Sequence, residues 1–92
     1  SEAERIKKRT REISASASEG LFEELRVLRR AIAAENGVPP YVVFSDKTLA
    51  AICDAMPDDE DDFLEIPGVG AAKLERYGEA FLSVVREWKR RA

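Results

Sequence analysis

Ninety-two residues, 45% of them hydrophobic, suffice for one small domain with a single core and are too few for a deep cleft between two lobes. Charged residues make up 36%, with 15 basic against 18 acidic side chains and a net charge of −3; the pI near 5.0 excludes the positive excess of a dedicated nucleic-acid binder. One cysteine and no histidine exclude an intrachain disulfide, histidine-based nucleophile triads and the usual zinc ligand sets.

The chain begins at serine rather than methionine, which predicts a fragment of a longer protein, and its lone thiol fits a reducing, cytosolic compartment. Residues 1–13 are charged, with Ile6 and Ile13 as the main apolar positions, and suit a weak helix. The basic cluster Arg5, Lys7, Lys8, Arg9 and Arg11 reads as a solvated tether that can also touch phosphates. Ser14 to Gly20 is small and polar, the composition of a flexible linker, so a domain boundary is expected there: 1–20 as linker or arm, 21–92 as the domain. The arm carries five basic and four acidic side chains, and residues 21–92 carry ten and fourteen, so the domain is more acidic than the whole.

Leu21, Leu25, Leu28 and Ile32 recur at helical spacing, and Gly37 can stop that helix. In Val38 to Phe44 two prolines argue against helix while the apolar residues demand burial, so an ordered loop strapped across the core is expected. Ser45 is a good N-cap for a helix with Leu49, Ile52, Cys53 and Met56 on one face, ending at Pro57. The acidic run Asp58-Asp59-Glu60-Asp61-Asp62 can begin a short third helix carrying Phe63, Leu64 and Ile66. Pro67-Gly68-Val69-Gly70 is a tight turn. Ala71 to Tyr77 reads as a fourth helix closed by Gly78, and Glu79 to about Arg91 as a fifth that buries Phe81, Val84, Val85 and Trp88. No alternating segment is long enough for a strand. The expected fold is all-α, a compact orthogonal bundle of five short helices.

Three features bear on function. Ile66 to Gly70 with Lys73 has the form of the turn in helix-hairpin-helix DNA-binding units. There, glycines let backbone N–H groups and a helix N-terminus hold a phosphate while a lysine adds charge. The alternative is that the glycines only permit a tight connection and Ile66 and Val69 plug the core. The acidic run fails as a calcium loop, because Phe63 would stand where glycine belongs and Val69 where the closing glutamate belongs. It is either a solvated helix start or an electronegative patch for a basic partner surface. Its charges would weaken phosphate binding within about 10 Å, one Debye length. Tyr41, beside two prolines, either presents its ring for base stacking or a protein contact, or packs it inward. Phe22, Phe44, Phe63, Phe81 and Trp88 follow burial patterns, and Cys53 lies on an apolar stripe as an inert thiol. Nothing here assembles a catalytic or metal site, so a non-catalytic domain with no cofactor of its own is expected.

The strings VPPYVVFSDKTL (38–49) and IPGVGAAKLERYGEAFL (66–82), behind a leucine-rich first helix, strongly resemble the helicase-and-RNase-D C-terminal (HRDC) domain. The version most similar is that of bacterial RecQ-family DNA helicases, and the resemblance covers about residues 21–90. It implies five helices attached behind an ATP-driven 3′-to-5′ DNA-unwinding core, with ATP and magnesium held by that core, in the bacterial cytoplasm at the nucleoid. Some members bind single-stranded or branched DNA weakly; others act through protein contacts. In the DNA-binding members the tyrosine of the PPYVVF loop and nearby basic residues make the contact, positions matched here by Tyr41, Lys73 and Arg76. The departure is the wholly acidic segment between Pro57 and Phe63. The resemblance therefore implies an accessory regulatory domain that tunes DNA-structure binding by docking the acidic residues Asp58 to Asp62 on the helicase core or a neighbouring domain. One alternative is a direct, weak DNA-binding module using Tyr41, Lys73, Arg76 and the amides at Gly68–Gly70. A second is an RNA-processing accessory domain of an RNase D-like exonuclease.

Overall fold

The computed structural model describes the backbone of residues 1–91 and the side chains of residues 1–8 and 19–91. Five helices occur among the described residues: α1 (Glu2–Asn36), α2 (Pro40–Val43), α3 (Asp46–Ala55), α4 (Glu60–Leu64) and α5 (Ala71–Arg91). The all-α class expected from the periodicity holds, but two of the five are long. No helix among them is long and apolar enough to cross a membrane.

α1 is 35 residues long and runs through Ser14 to Gly20, where a linker was expected. The side chains of 14–18, like those of Arg9 and Arg11, lie outside the described residues. Alternating serine and alanine contain no helix breaker, and Gly20 is retained inside the helix for a packing reason: a Cβ there would lie 2.6 Å from Cη2 of Trp88. Ser1 and Glu4 form a capping box at the start. At the other end Gly37 takes the left-handed conformation (φ 63°), with its N–H on Ala34 and that of Val38 on Ala33 at 3.1 Å, the pairing of a Schellman stop.

The apolar face of α1 differs by a fraction of a turn from the leucine spacing. Leu21 and Leu25 are buried as expected, but Leu28 and Ile32 are only half-buried, and the next buried positions are Arg29 and Ala33. The segment after α1 is also not a loop. Pro39 is the N-cap of α2 and Pro40 its first residue; a proline there gives up no helical hydrogen bond and its fixed φ suits a first turn. α3 starts on Ser45, whose hydroxyl accepts from the Thr48 N–H, and ends on Met56 in the left-handed region (φ 48°) just before Pro57. α4 starts on Asp59. The fourth and fifth expected helices are one, because Gly78 lies inside α5. A mid-helix glycine costs about 1 kcal/mol relative to alanine, and here it makes room for Leu74, whose Cδ1 would lie 2.8 Å from an added Cβ.

The core is organised around Phe44, the residue that ends α2. It is fully buried and edge-on to Phe63 (6.0 Å between centroids), Tyr77 (6.0 Å) and Phe81 (5.0 Å). Such edge-to-face pairs add about 0.5–1.5 kcal/mol each to the burial itself. Leu21, Leu25, Leu49, Ile52, Leu82 and Val85 complete the interior. α1 packs on α2, α3 and α5, and α4 on α5.

Candidate functional site

α2 has four residues, too few to stand alone. Its far end is fixed by Val43 and Phe44, both fully buried. Its near end then faces outward: Pro39 and Pro40 are exposed, Tyr41 is 70% exposed and Val42 38%. Of the two readings left open for Tyr41, the structure has the outward one. The other aromatics are buried or half-buried, so Tyr41 is the one exposed aromatic ring among the described residues.

Lys73, in the first turn of α5, places its ammonium 5.7 Å from the centroid of the Phe44 ring. Tyr41 and Lys73 are thus joined through one buried residue, Phe44, which follows the tyrosine by three positions. Arg76 is exposed, one turn further along α5. With Tyr77 and Ala80 it lines a shallow cleft against Ile32, Glu35 and Asn36 at the end of α1. Glu35 brings a carboxylate to the same cleft.

The turn between α4 and α5 is a tight connection plugged into the core. Ile66 (5% exposed) and Val69 (7%) plug the core, and the Val69 N–H closes on the Ile66 carbonyl at 3.0 Å. Gly68 needs its left-handed φ of 92°, and an added Cβ would collide with Oγ1 of Thr48, the hydroxyl that donates to the Pro67 carbonyl at 3.2 Å. Gly70 is exposed, and a Cβ there would meet nothing within 4 Å. One glycine is thus fixed by the fold, while the other, just before α5, has open space around it.

The acidic run is spread out rather than gathered. Lys89 reaches from the last turns of α5 to the Asp58 carboxylate and to the Met56 carbonyl (2.6 Å), and Arg86 donates to the Asp58 carbonyl at 3.1 Å. Asp59 caps α4 through the Asp62 N–H at 2.8 Å, and Asp62 accepts from the Asp58 N–H. Within the run, Glu60 and Asp61 are the two whose side chains form no hydrogen bond or ion pair among the described residues. Lys89 and Lys73 are sixteen residues apart on α5, roughly 24 Å at 1.5 Å per residue, so the carboxylate that Lys89 holds lies toward the other end of α5 from Lys73. Asp62 and Glu65 are nearer the turn, lining a cleft with Ile66 and Pro67. Between Lys47 and Lys73 the sequence has no basic residue against seven carboxylates, so this end stays negative even after Lys89 and Arg86 lean on it.

Cys53 is buried, and burial, with a smaller push from Asp54, raises its thiol to about 11. It is therefore no nucleophile at neutral pH. Among the described residues no group of three or more acidic, cysteine or histidine side chains is placed to hold a metal ion. The residue that sequence reasoning passed over is Arg29, buried on the core side of α1. Its Nη1 donates to the Phe44 carbonyl at 3.0 Å and pairs with Asp46 Oδ1 at 2.8 Å. The signal was its place four residues after Leu25 on the buried stripe.

Comparison with known proteins places this geometry in a family. The pattern of the HRDC domain matches residues 18–85. The ATP-dependent DNA helicase RecQ of Bacillus subtilis is 49% identical over 70 residues, covering 76% of this chain and 12% of that protein. The ATP-dependent DNA helicase UvrD2 of Mycobacterium tuberculosis is 45% identical over 73 residues, 79% of this chain and 10% of the relative. The chain thus spans about a tenth of these relatives' length. Among solved structures, HRDC domain 3 of D. radiodurans RecQ superposes with a TM-score of 0.74 at 36% identity, covering 76% of this chain and 92% of that one. The turn, the proline-led α2 and the aromatic core therefore have one common explanation: this chain belongs to the HRDC domain family.

Proposed function

We propose that this chain is a non-catalytic accessory domain of an ATP-dependent DNA helicase of the RecQ type, with residues 1–20 as an arm ahead of a domain at 21–92. Its own contribution is weak contact with single-stranded or branched DNA through the surface of Tyr41, Lys73, Arg76 and the Gly68–Gly70 turn. ATP, magnesium and strand separation belong to the remainder of the parent protein, in the bacterial cytoplasm. The names of the relatives, all DNA helicases, support DNA over the RNA of an RNase D-like exonuclease.

The observation that carries this reading is the 70% exposure of Tyr41 on a helix whose other end is locked in the core. A ring held outward on a fixed mount loses little entropy on stacking, and base–aromatic stacking contributes about 1–3 kcal/mol. Lys73 supplies a cation that the Phe44 ring already orients. Fluorescence anisotropy of a labelled oligonucleotide at low salt tests it. Binding should weaken as salt rises, as phosphate contact requires. Tyr41→Ala should weaken it by about 5- to 160-fold, the range of one stacked base. No binding at about 100 μM protein, or equal binding by Tyr41→Ala, rejects the reading.

A second reading rests on the charge distribution around α4. Glu60 and Asp61 point outward from a stretch of 25 residues without a basic side chain (48–72). That supports regulation by docking of the acidic end on a basic surface of the helicase core or a neighbouring domain. Charge-neutral Glu60→Gln and Asp61→Asn leave the internal roles of Asp58, Asp59 and Asp62 intact. Under this reading they change the DNA-structure preference of the whole helicase, and unchanged preference on every substrate rejects it.

A further inference from the structure

An arginine on a core stripe is costly, because a guanidinium leaves water only at a desolvation penalty of several kcal/mol unless it is well paired. Arg29 occupies such a position, 8% exposed, in the series Leu21, Leu25, Arg29 and Ala33. Its pairing is incomplete: Nη1 makes the contacts to Phe44 and Asp46, while the buried Nε has no partner. A residue kept there for stability alone would be better as leucine or methionine.

What Arg29 touches is informative. The Phe44 carbonyl lies where the chain leaves α2, at its C-cap, where the backbone has turned extended (φ −149°, ψ 145°). Asp46 is the first residue of α3. One guanidinium nitrogen therefore ties α1 to the last residue of the Tyr41 segment and to the first of the next helix. Val43 and Phe44 fix the depth of α2 by burial, which is non-directional. The hydrogen bond to the Phe44 carbonyl is directional and fixes the rotation of the strap about that anchor.

We infer that Arg29, through Asp46 and the Phe44 carbonyl, is a positioning residue that sets the orientation in which α2 presents Tyr41. This rests on the proposed contact of Tyr41 with DNA, though the clamp itself can be read without DNA. The contact comes from a single nitrogen, so Arg29→Lys, which keeps one cationic donor, should preserve it and Arg29→Met should not. Asp46→Asn keeps the shape while removing the charge, and serves where Arg29→Met folds poorly.

The full 92-residue chain is used in two measurements. The first is amide hydrogen exchange of α2, read at Val42 and Val43 against Leu82 and Val85 in α5. Relative to the wild type, the clamp predicts an acceleration at least tenfold larger in α2 than in α5 for Arg29→Met, a smaller bias of the same sense for Asp46→Asn, and none for Arg29→Lys. Uniform acceleration of all four amides, or identical behaviour of the lysine and methionine variants, overturns it. The second is oligonucleotide affinity well below the melting temperature. At least fivefold weaker binding is expected for Arg29→Met, with wild-type binding for Arg29→Lys. Loss of binding in Tyr41→Ala but not in Arg29→Met overturns the clamp and leaves the DNA reading standing. No binding by the wild type ends the DNA reading, while hydrogen exchange still decides the clamp.

Discussion

The two glycines that flank Val69 should respond oppositely to the same one-carbon change. At Gly68 the backbone sits at φ 92°, a conformation that costs an L-residue about 1–2 kcal/mol. A Cβ would also displace the Thr48 hydroxyl from the Pro67 carbonyl, a hydrogen bond contributing about 0.5–1.5 kcal/mol. Loss of glycine freedom in the unfolded chain returns about 0.4–1 kcal/mol. The net is a destabilisation of about 2 kcal/mol for Gly68→Ala, or roughly 8–16 °C in melting temperature for a domain of this size. Gly70 has neither the positive φ nor a neighbour within 4 Å, so Gly70→Ala should be neutral or stabilising by a few tenths of a kcal/mol, the unfolded-chain effect acting alone.

Thermal and urea unfolding followed by the fluorescence of Trp88, the one tryptophan in the sequence, measures both. Repeating Gly68→Ala in a Thr48→Ala background isolates the collision, and its cost should fall by about 1 kcal/mol in that double-mutant cycle. Equal effects at the two glycines, or no coupling with Thr48, would refute the account of the turn. Gly70→Ala also bears on function: under the proposed contact of the Gly68–Gly70 turn with DNA, an added methyl group should reduce oligonucleotide affinity without reducing stability.

Tyr41→Ala should change unfolding free energy by no more than about 0.5 kcal/mol, as for other exposed positions, so its effect on DNA affinity is separable in the same sample. Gly20→Ala should destabilise by about 1–3 kcal/mol through overpacking against the Trp88 ring, with a shift of the native emission spectrum; an unchanged spectrum and stability would contradict that packing. For Cys53, the unfolded chain releases its proton near 9.0 and the folded chain near 11. The folded state then binds more protons across that window, so stability is intact below pH 9 and declines as pH rises through it. Urea midpoints at pH 8 and pH 10 check the sign, and modification of the thiol at pH 8 should be limited by the opening rate of the fold.

Much of this was legible in the chain because the signals were local. Ser45, Gly37 and Pro57 mark helix ends by their own backbone chemistry, and each marks one here. The helix-hairpin-helix-like turn was visible because its glycines and plugging side chains are contiguous. What was misread depended on partners distant in sequence. Gly20 and Gly78 look like breaks until Trp88 and Leu74 are known to need the space. Ser14 to Ser18 has linker composition, yet alanine and serine oppose a helix too weakly to end one already nucleated and capped. Pro39 and Pro40 forbid the interior of a helix, not its first turn. Arg29 lies on the buried register of α1 yet carries no signal by residue type, since a buried cation is intelligible only once the Phe44 carbonyl and Asp46 are beside it. The acidic run was treated as one charge because no sequence pattern reveals that Lys89 reaches back across the bundle to Asp58.

The Arg91 guanidinium holds both carboxylate oxygens of Glu24, at 2.8 and 2.9 Å, and lies 5.2 Å from the centre of the Trp88 ring, which in turn covers Gly20. Glu24 on α1 and Arg91 on the last turn of α5 are therefore fastened to each other beside the one tryptophan, so fraying of the end of α5 and loosening of this part of α1 should both be felt at the same ring.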